Sequence, residues 1–462
     1  MLNFTPSTAS STQKDFPLGT LSFPERLIYW TIVLTPLWWL SGVQTLLYPV
    51  MIVGLFVVTF DFNKLIKTSL PASAWAWLAM AIVMVWTAII GLGSVGFGFQ
   101  KTAAFAVTFL KSYCLIFLCL TLPFWNQIRV RVVTRAVAWM ATGYLATIAI
   151  QLIILFLGLG KTNIVPPLAR LIPGDKLSLL IKFAVFQPFF GIPLPRTELY
   201  TPDPPILGVC ALLCFFMCLG ETDRRLRRFA LAGCLSALLI SQSRLAWVCF
   251  PLALLILACF SSRWARQGSL WGASFTSLLC ALLGLTLSQL INKPWEIFNG
   301  ARAESSKDRE LVVRKTLEAW QESPWVGWGI IRGSVKWYTY EIALGSFSTY
   351  ASVLYLHGIV GFIVFVVALA LTLWNFWGAA VRGNPASKRA FASLVALYIL
   401  CNGTPLTWMT VYFWFFFVWL GAILAEIQPP DAAITSWEQL SGAREAQKNF
   451  YQIVDENLTS FS

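Results

Sequence analysis

Long apolar runs separated by short polar connections make up most of this chain. Twelve such runs stand out, at roughly 27–41, 43–60, 73–92, 102–122, 136–158, 205–220, 229–242, 244–260, 270–290, 353–377, 390–404 and 408–426. A helix that crosses the hydrocarbon core of a bilayer needs about 20 predominantly apolar residues. Runs of this kind, repeated along one chain, predict an all-α polytopic membrane protein with about twelve transmembrane helices. Residues 1–426 read as one integral membrane domain and 427–462 as a polar tail, with a short helix expected from Thr435 to Val454. Residues 1–26 lack the short basic start of a secretory signal, so the first apolar run is expected to be a retained span.

Two connections are long. The first, 159–204, carries Pro166, Pro167, Pro173, Pro188, Pro193, Pro195 and Pro202. Its apolar part, "LSLLIKFAVFQPFFGIPL", is too interrupted for a clean span and reads as an interfacial or re-entrant element. The second, 291–346, is the most charged stretch: "ARAESSKDRELVVRKTLEAWQESPWVGWGI". Ser305 or Ser306 would cap a helix there. Val313, Thr316, Leu317 and Trp320 then recur at helical spacing, and Arg309 lies one turn before Val313 on the same face. Arg314, Lys315 and Glu318 point elsewhere, and "SPWVGWG" ends the helix.

Composition agrees with a lipid environment. Hydrophobic residues make up 57% and charged ones only 12%, about half the charge of an ordinary soluble domain. Mean hydropathy is +0.69. The net charge of +13 reflects topology here and implies no nucleic-acid partner. With twelve crossings, the short connections on one side hold Lys64, Lys67, Arg129, Arg131, Arg135, Arg224, Arg225, Arg227, Arg228, Arg263, Arg266, Arg382, Lys388 and Arg389, and the short connections on the other only Lys101 and Arg244. Excess Lys and Arg marks the cytoplasmic side, so both termini are expected there. "NLT" at 457–459 would then lie on the wrong side for glycosylation. All ten cysteines fall inside apolar runs, without metal-ligand spacing, and read as small packing residues.

Arg244 is the exception within "LISQSRLAWV". The basic clusters 224–228 and 263–266 bracket a stretch sufficient for two crossings of about 24 Å each. The chain is therefore expected to turn at Ser241–Arg244, near the outer surface. An arginine there either snorkels to outer headgroups or faces a protein cavity, and short buried hairpins favour the cavity.

Soluble-enzyme motifs are missing: no phosphate loop, no HExxH and only one histidine, His357. Neither a metal nor a cofactor is expected. Intramembrane carboxylates are nearly absent, which argues against proton-coupled transport. What remains on the outer side is Arg196, Arg244, Arg302 and Arg309, with Glu198, Asp203, Glu304, Asp308 and Glu310. Guanidiniums keep their charge when half-buried and fork onto phosphate oxygens. An anionic lipid headgroup, with a diphosphate as natural candidate, fits such a cluster. A nearby carboxylate, Glu304 or Asp308, would take the proton of an attacking hydroxyl.

Three stretches resemble the O-antigen ligase / O-antigen polymerase family of bacterial surface-polysaccharide assembly proteins. "SQSRLAWV" is similar to its Ser-x-Ser-Arg hairpin end. "DRELVVRKTLEAWQESPWVGWG" is similar to its amphipathic stretch and Pro…Gly-x-Gly turn, and "LGSFSTYASVLYLHGIVGF" to the segment entering the next span. The resemblance covers roughly 200–360. It implies a polyprenyl-diphosphate-linked glycan donor and a lipid-linked acceptor among membrane lipids, with transfer that uses no metal. Diphosphate binding would fall to Arg244 with Arg302 or Arg309, Arg196 lying nearby. In the third stretch the family usually has Gly-Ser-His, whereas this chain has Gly345-Ser346-Phe347. Phenylalanine cannot take a proton. His357 lies ten residues on, about 15 Å along a helix and about 280° around it, and reads as a packing residue. Ser346, Ser348 and Thr349 remain as sugar contacts. The resulting expectation is a metal-independent polymerase or ligase, leaning to polymerase, at the outer face of the bacterial inner membrane. A transporter of a small anion or lipid-linked sugar, or a non-catalytic lipid-binding relative, is the alternative.

Overall fold

The computed structural model describes residues 21–61, 68–159, 163–169, 179–283, 303–337 and 340–427, with a few isolated positions between 284 and 302. The expected tail helix at Thr435–Val454 and Arg302 lie outside the described residues, as does the Glu304 side chain.

The chain is helical almost throughout. Helices α1 (Phe23–Val33), α2 (Thr35–Ser41), α3 (Gln44–Thr59), α4 (Ala72–Val95), α5 (Phe99–Lys111), α6 (Tyr113–Asn126) and α7 (Val130–Phe156) form the first part. Short strands follow: β1 (Asn163–Ile164), β2 (Ile181–Lys182), β3 (Val185–Phe189) and β4 (Ile192–Arg196). Then come α8 (Pro204–Cys218), α9 (Arg224–Ser241), α10 (Arg244–Ser261), α11 (Arg263–Leu282) and α12 (Ala303–Gln321). Strands β5 (Ser334–Trp337) and β6 (Tyr340–Ala343) precede α13 (Thr349–Val381), α14 (Pro385–Leu400), α15 (Leu406–Met409) and α16 (Trp414–Ile427).

Among the described residues helix covers most of each of the twelve apolar runs, that at 270–290 as far as Leu282. Among the described residues five helical stretches are long and apolar enough to cross a membrane: Ala72–Val95, Phe99–Asn126, Val130–Phe156, Arg244–Ser261 and Thr349–Val381. The pair Leu406–Tyr412 and Trp414–Ile427, bent by 81°, makes a sixth if counted as one span. Gln44–Thr59 and Pro204–Cys218 are apolar but shorter. Outward-facing positions such as Val58, Ile82, Ile89, Trp139, Phe156 and Trp374 are large and apolar. A multi-pass membrane protein presents such a surface to lipid, which is as apolar as the side chains themselves.

At the centre lies α8, all of whose residues are buried. It packs against α7, α9 and α14. Lipid supplies no hydrophobic drive between helices, so close approach through small residues does the work. Gly208 shows this: a Cβ there would stand 2.5 Å from the Cβ of Ser243. Across the bundle, the Trp77 indole donates to Thr372 Oγ1 at 3.0 Å and ties α4 to α13.

The long connection at 159–204 is described only in part. Its described part folds into strands, with β3 and β4 forming a hairpin in which Val185 pairs with Arg196 and Pro188 with Pro193. Its turn residues Phe190 and Gly191 have φ of 51° and 77°. Prolines lack the N–H that a helix or a central strand needs, whereas a two-stranded ribbon tolerates them. The expected cap at Ser305 or Ser306 is also corrected: α12 already runs from Ala303, so both serines lie within the helix.

Helix α13 is broken at Gly358 (φ 63°, ψ −166°). The segment 324–329 enters the break. Trp328 N–H donates to Tyr355 C=O at 2.9 Å and Gly329 N–H to Leu356 C=O at 2.8 Å. In return Ile359 N–H donates to Pro324 C=O at 2.9 Å and Val360 N–H to Trp325 C=O at 3.2 Å. Backbone groups freed in an apolar setting must find partners within the protein, and here a loop supplies them. Gly327 (φ 70°) leaves no room for a side chain: a Cβ would lie 2.6 Å from the backbone of Leu356, His357 and Gly358. His357 is buried at this junction, its Nδ1 2.7 Å from Thr87 Oγ1, which makes it a packing residue.

Candidate functional site

The turn between α9 and α10 falls where the basic clusters predict it. Helix α9 ends at Ser241, Gln242 adopts a left-handed conformation (φ 49°) and α10 begins at Arg244. Ser243 N–H donates to Ser241 Oγ at 3.2 Å, and Gln242 Nε2 donates to Pro195 C=O at 3.0 Å, fastening the turn to β4. Arg196, at the end of β4, donates from Nε to Ser241 C=O at 3.1 Å and from Nη1 to Gln187 Oε1 at 2.8 Å. The hairpin thus delivers one arginine to the turn that carries another.

Helix α12 brings the third. Its inner face buries Val312 and Thr316, and Ser306, Arg309, Glu310 and Val313 follow at helical spacing along the side facing the α9–α10 turn. Arg244 Nη2 donates to Ser306 Oγ at 2.9 Å. Arg309 Nη1 donates to Gly403 C=O at 3.4 Å, and its Cζ lies 5.1 Å from the centre of the Phe347 ring. On the opposite face Arg314 and Lys315 pair with Glu318, all three exposed.

These side chains surround one cavity of about 430 Å³. Arg196, Gln242, Ser243, Arg244, Ser306, Arg309, Glu310, Phe347, Asn402, Gly403 and Thr404 supply its polar and aromatic wall, with Pro205, Val209, Leu245, Val313 and Leu400 as its apolar part. The guanidiniums of Arg244 and Arg309 are near enough to repel each other. Converging cations in a partly apolar cleft form a site for an anion, since like charges are held together only at a cost that an anion relieves.

Other expected site residues fall differently. Ser346 donates to Ala343 C=O at 2.5 Å. Ser348 caps α13 by accepting from Ala351 N–H at 3.4 Å. Thr349 donates to Thr404 C=O at 2.6 Å and accepts from Leu406 N–H at 2.8 Å. None of the three lines the cavity. The Thr349 hydroxyl ties this segment to the 401–406 turn, while those of Ser346 and Ser348 bond within 343–351. Asp308 is half-buried on α12 and is also absent from the lining.

Residues 229–366 match a protein-family model described as O-antigen ligase. This segment belongs to the O-antigen ligase family. The matched region contains Arg244, Ser306, Arg309, Glu310 and Phe347, so one wall of the cavity lies inside the O-antigen ligase domain, while Arg196 and the 402–404 turn are contributed from outside it. The match supports an O-antigen ligase- or polymerase-type role in polysaccharide assembly for the segment that carries it. No curated protein matches the chain.

Glu310 is the residue that spacing alone did not single out. It is the one carboxylate among the described lining residues. The signal was available: Glu310 lies four residues after Ser306 and three before Val313, which places all three on one side of a helix. Glu198 stands apart from the cavity in a second charged cluster. Its carboxylate is 3.1 Å from Lys182 Nζ, yet burial pushes its pKa up to about 7, outweighing the attraction of Lys182.

Proposed function

We propose that this protein transfers a glycan from a polyprenyl-diphosphate carrier to a sugar hydroxyl of a lipid-linked acceptor, at the outer face of the bacterial inner membrane. The observation that carries this reading is the convergence of Arg196, Arg244 and Arg309 on one cavity within and beside the O-antigen ligase domain. The twelve-span topology with cytoplasmic termini is part of the proposal, because it puts the α9–α10 turn on the outer side, opposite the basic clusters 224–228 and 263–266.

In this mechanism the guanidiniums bind the diphosphate oxygens, and their charge meets the negative charge that grows as the bond breaks. The bond from the anomeric carbon to the diphosphate oxygen breaks, and its electron pair leaves with the diphosphate. The acceptor oxygen forms the new bond to that carbon. Its proton passes to a carboxylate, a role this reading gives to Glu310 on the cavity wall. Product that keeps its own lipid diphosphate makes the enzyme a polymerase, towards which Phe347 tilts the reading; a different acceptor lipid makes it a ligase.

The test is transfer in vitro. Purified protein in nanodiscs is given polyprenyl-diphosphate oligosaccharide from the same membranes, and glycan length is read on a gel. A ladder that disappears with Arg244→Ala supports the reading. A wild-type preparation that binds the lipid yet lengthens nothing overturns it.

A further inference from the structure

We infer that Phe347 is a positioning residue for Arg309: its ring holds the guanidinium in the cavity while leaving the positive charge available to an anionic diphosphate. This rests on the donor-site reading above and goes beyond it. Phe347 stands where the resembled family usually has histidine, and it binds no proton and no phosphate. Its contact is with the cation instead, 5.1 Å from ring centre to Arg309 Cζ, with both residues on the cavity wall.

Arg309 needs a holder. Its one hydrogen bond among the described residues is the long one to Gly403 C=O, 3.4 Å, and it makes no ion pair among them. Two further guanidiniums share the cavity. An arginine side chain left free in such a field turns away and loses rotamer freedom on binding. A carboxylate would hold it but would cancel its charge and compete with the ligand. The negative face of an aromatic ring attracts the cation without neutralising it, and covers one side of the guanidinium plane, leaving its edge donors for oxygen acceptors.

Phe347 is itself held firmly on both sides. Gly345 N–H donates to Thr316 Oγ1 at 2.9 Å, two turns beyond Arg309 on the same helix. Gly345 has φ 83°, and a Cβ there would meet Ser352 Oγ at 3.0 Å. After Phe347, Thr349 N–H donates to Cys401 C=O at 2.8 Å, and the Thr349 hydroxyl holds the Thr404 carbonyl. The ring and the Gly403 carbonyl, which are Arg309's two contacts, are therefore locked to one another and to α12.

The experiment compares Phe347→Leu, Phe347→Tyr, Phe347→His and Arg309→Ala. Geranylgeranyl diphosphate in nanodiscs is the binding probe, and polyprenyl-diphosphate oligosaccharide is the substrate for transfer. Phe347→Leu is expected to weaken probe binding and raise the donor KM by roughly 2- to 30-fold, the range of cation–π contacts, with kcat little changed. Phe347→Tyr keeps the ring face and restores both. Phe347→His binds like the tyrosine variant at pH 8, then loses affinity as the pH falls through about 6.5, where imidazole becomes a cation and repels Arg309. If Arg309→Ala weakens probe binding but Phe347→Leu binds like wild type, the positioning role is overturned and the donor site stands. If Arg309→Ala binds like wild type as well, the donor-site reading itself falls. Variants are compared only as monodisperse preparations, and rescue by tyrosine separates the ring's role from loss of fold.

Discussion

Arg244 donates to Ser306 across 62 positions of sequence, Nη2 to Oγ at 2.9 Å. The bond joins the turn of a helical hairpin to the first turns of the amphipathic helix α12 within the 291–346 connection. The partner is a neutral hydroxyl, so this bond leaves the guanidinium its charge.

Replacing Arg244 by lysine keeps the charge but removes the planar fork. Transfer is expected to fall by roughly 10- to 100-fold, the loss of a charge-assisted hydrogen bond, with no shift in the thermal midpoint. Ser306→Ala removes the tether and is expected to cost a few-fold. Initial rates of glycan lengthening decide it; a lysine variant as fast as wild type removes Arg244 from the donor site.

Glu310→Gln is expected to lower kcat by roughly 10²-fold or more, as removal of a general base does, and to leave binding of geranylgeranyl diphosphate unweakened. Asp308→Asn, off the cavity wall, is expected to change kcat far less. The reverse order would return the base role to Asp308.

The docking of 324–329 into the break of α13 makes a stability prediction. Gly327→Ala forces a Cβ to within 2.6 Å of backbone atoms at a φ of 70°, and overpacking with backbone strain costs about 3 kcal/mol. Gly268→Ala on α11, where nothing stands within 4 Å, is expected to be neutral or slightly stabilising. Thermal unfolding in detergent compares the two. Equal midpoints would show that the loop does not dock as described.

Burial raises the pKa of Glu198 from the usual 4.5 to about 7. The protonated form is the one the fold favours, so its contribution is complete below about pH 4.5 and is lost as the pH rises through about 7. Backbone amides of 179–203 are therefore expected to exchange faster at pH 8 than at pH 5.5, beyond the intrinsic rate change, by roughly tenfold. Glu198→Gln has no such titration, and its corrected exchange is expected to be flat. A wild-type profile equally flat would refute the raised pKa.

Much of this was open to inspection in the chain itself. The basic clusters at 224–228 and 263–266 pointed to a turn at Ser241–Arg244, and the structure has α9 ending at Ser241 and α10 starting at Arg244. The spacing of Arg309, Val313 and Thr316 placed the inner side of α12, because helical periodicity is local. The absence of ordinary catalytic motifs directed attention to the outer arginines. Expectation and structure part where contacts are distant. Ser348 and Thr349 look like free hydroxyls in sequence, yet a capped helix end and a turn some fifty positions away use them. The prolines of 185–196 rule out a regular helix, but choosing a hairpin requires a pairing partner, which local pattern does not supply.

Sequence alone determined that this chain is built of apolar helices suited to lipid, since apolar length and sparse charge are properties of each segment by itself, and it named the arginines from which a site could be drawn. Only the tertiary structure decided which of them meet. Arg196 reaches the cavity through a hairpin, Arg244 through a turn and Arg309 through a helix, while Phe347 meets Arg309 because Gly345 is tied to Thr316. Those meetings depend on close packing between elements, through glycines such as Gly208 and Gly327 that let backbones approach, and spacing along one strand of sequence does not encode distance between two.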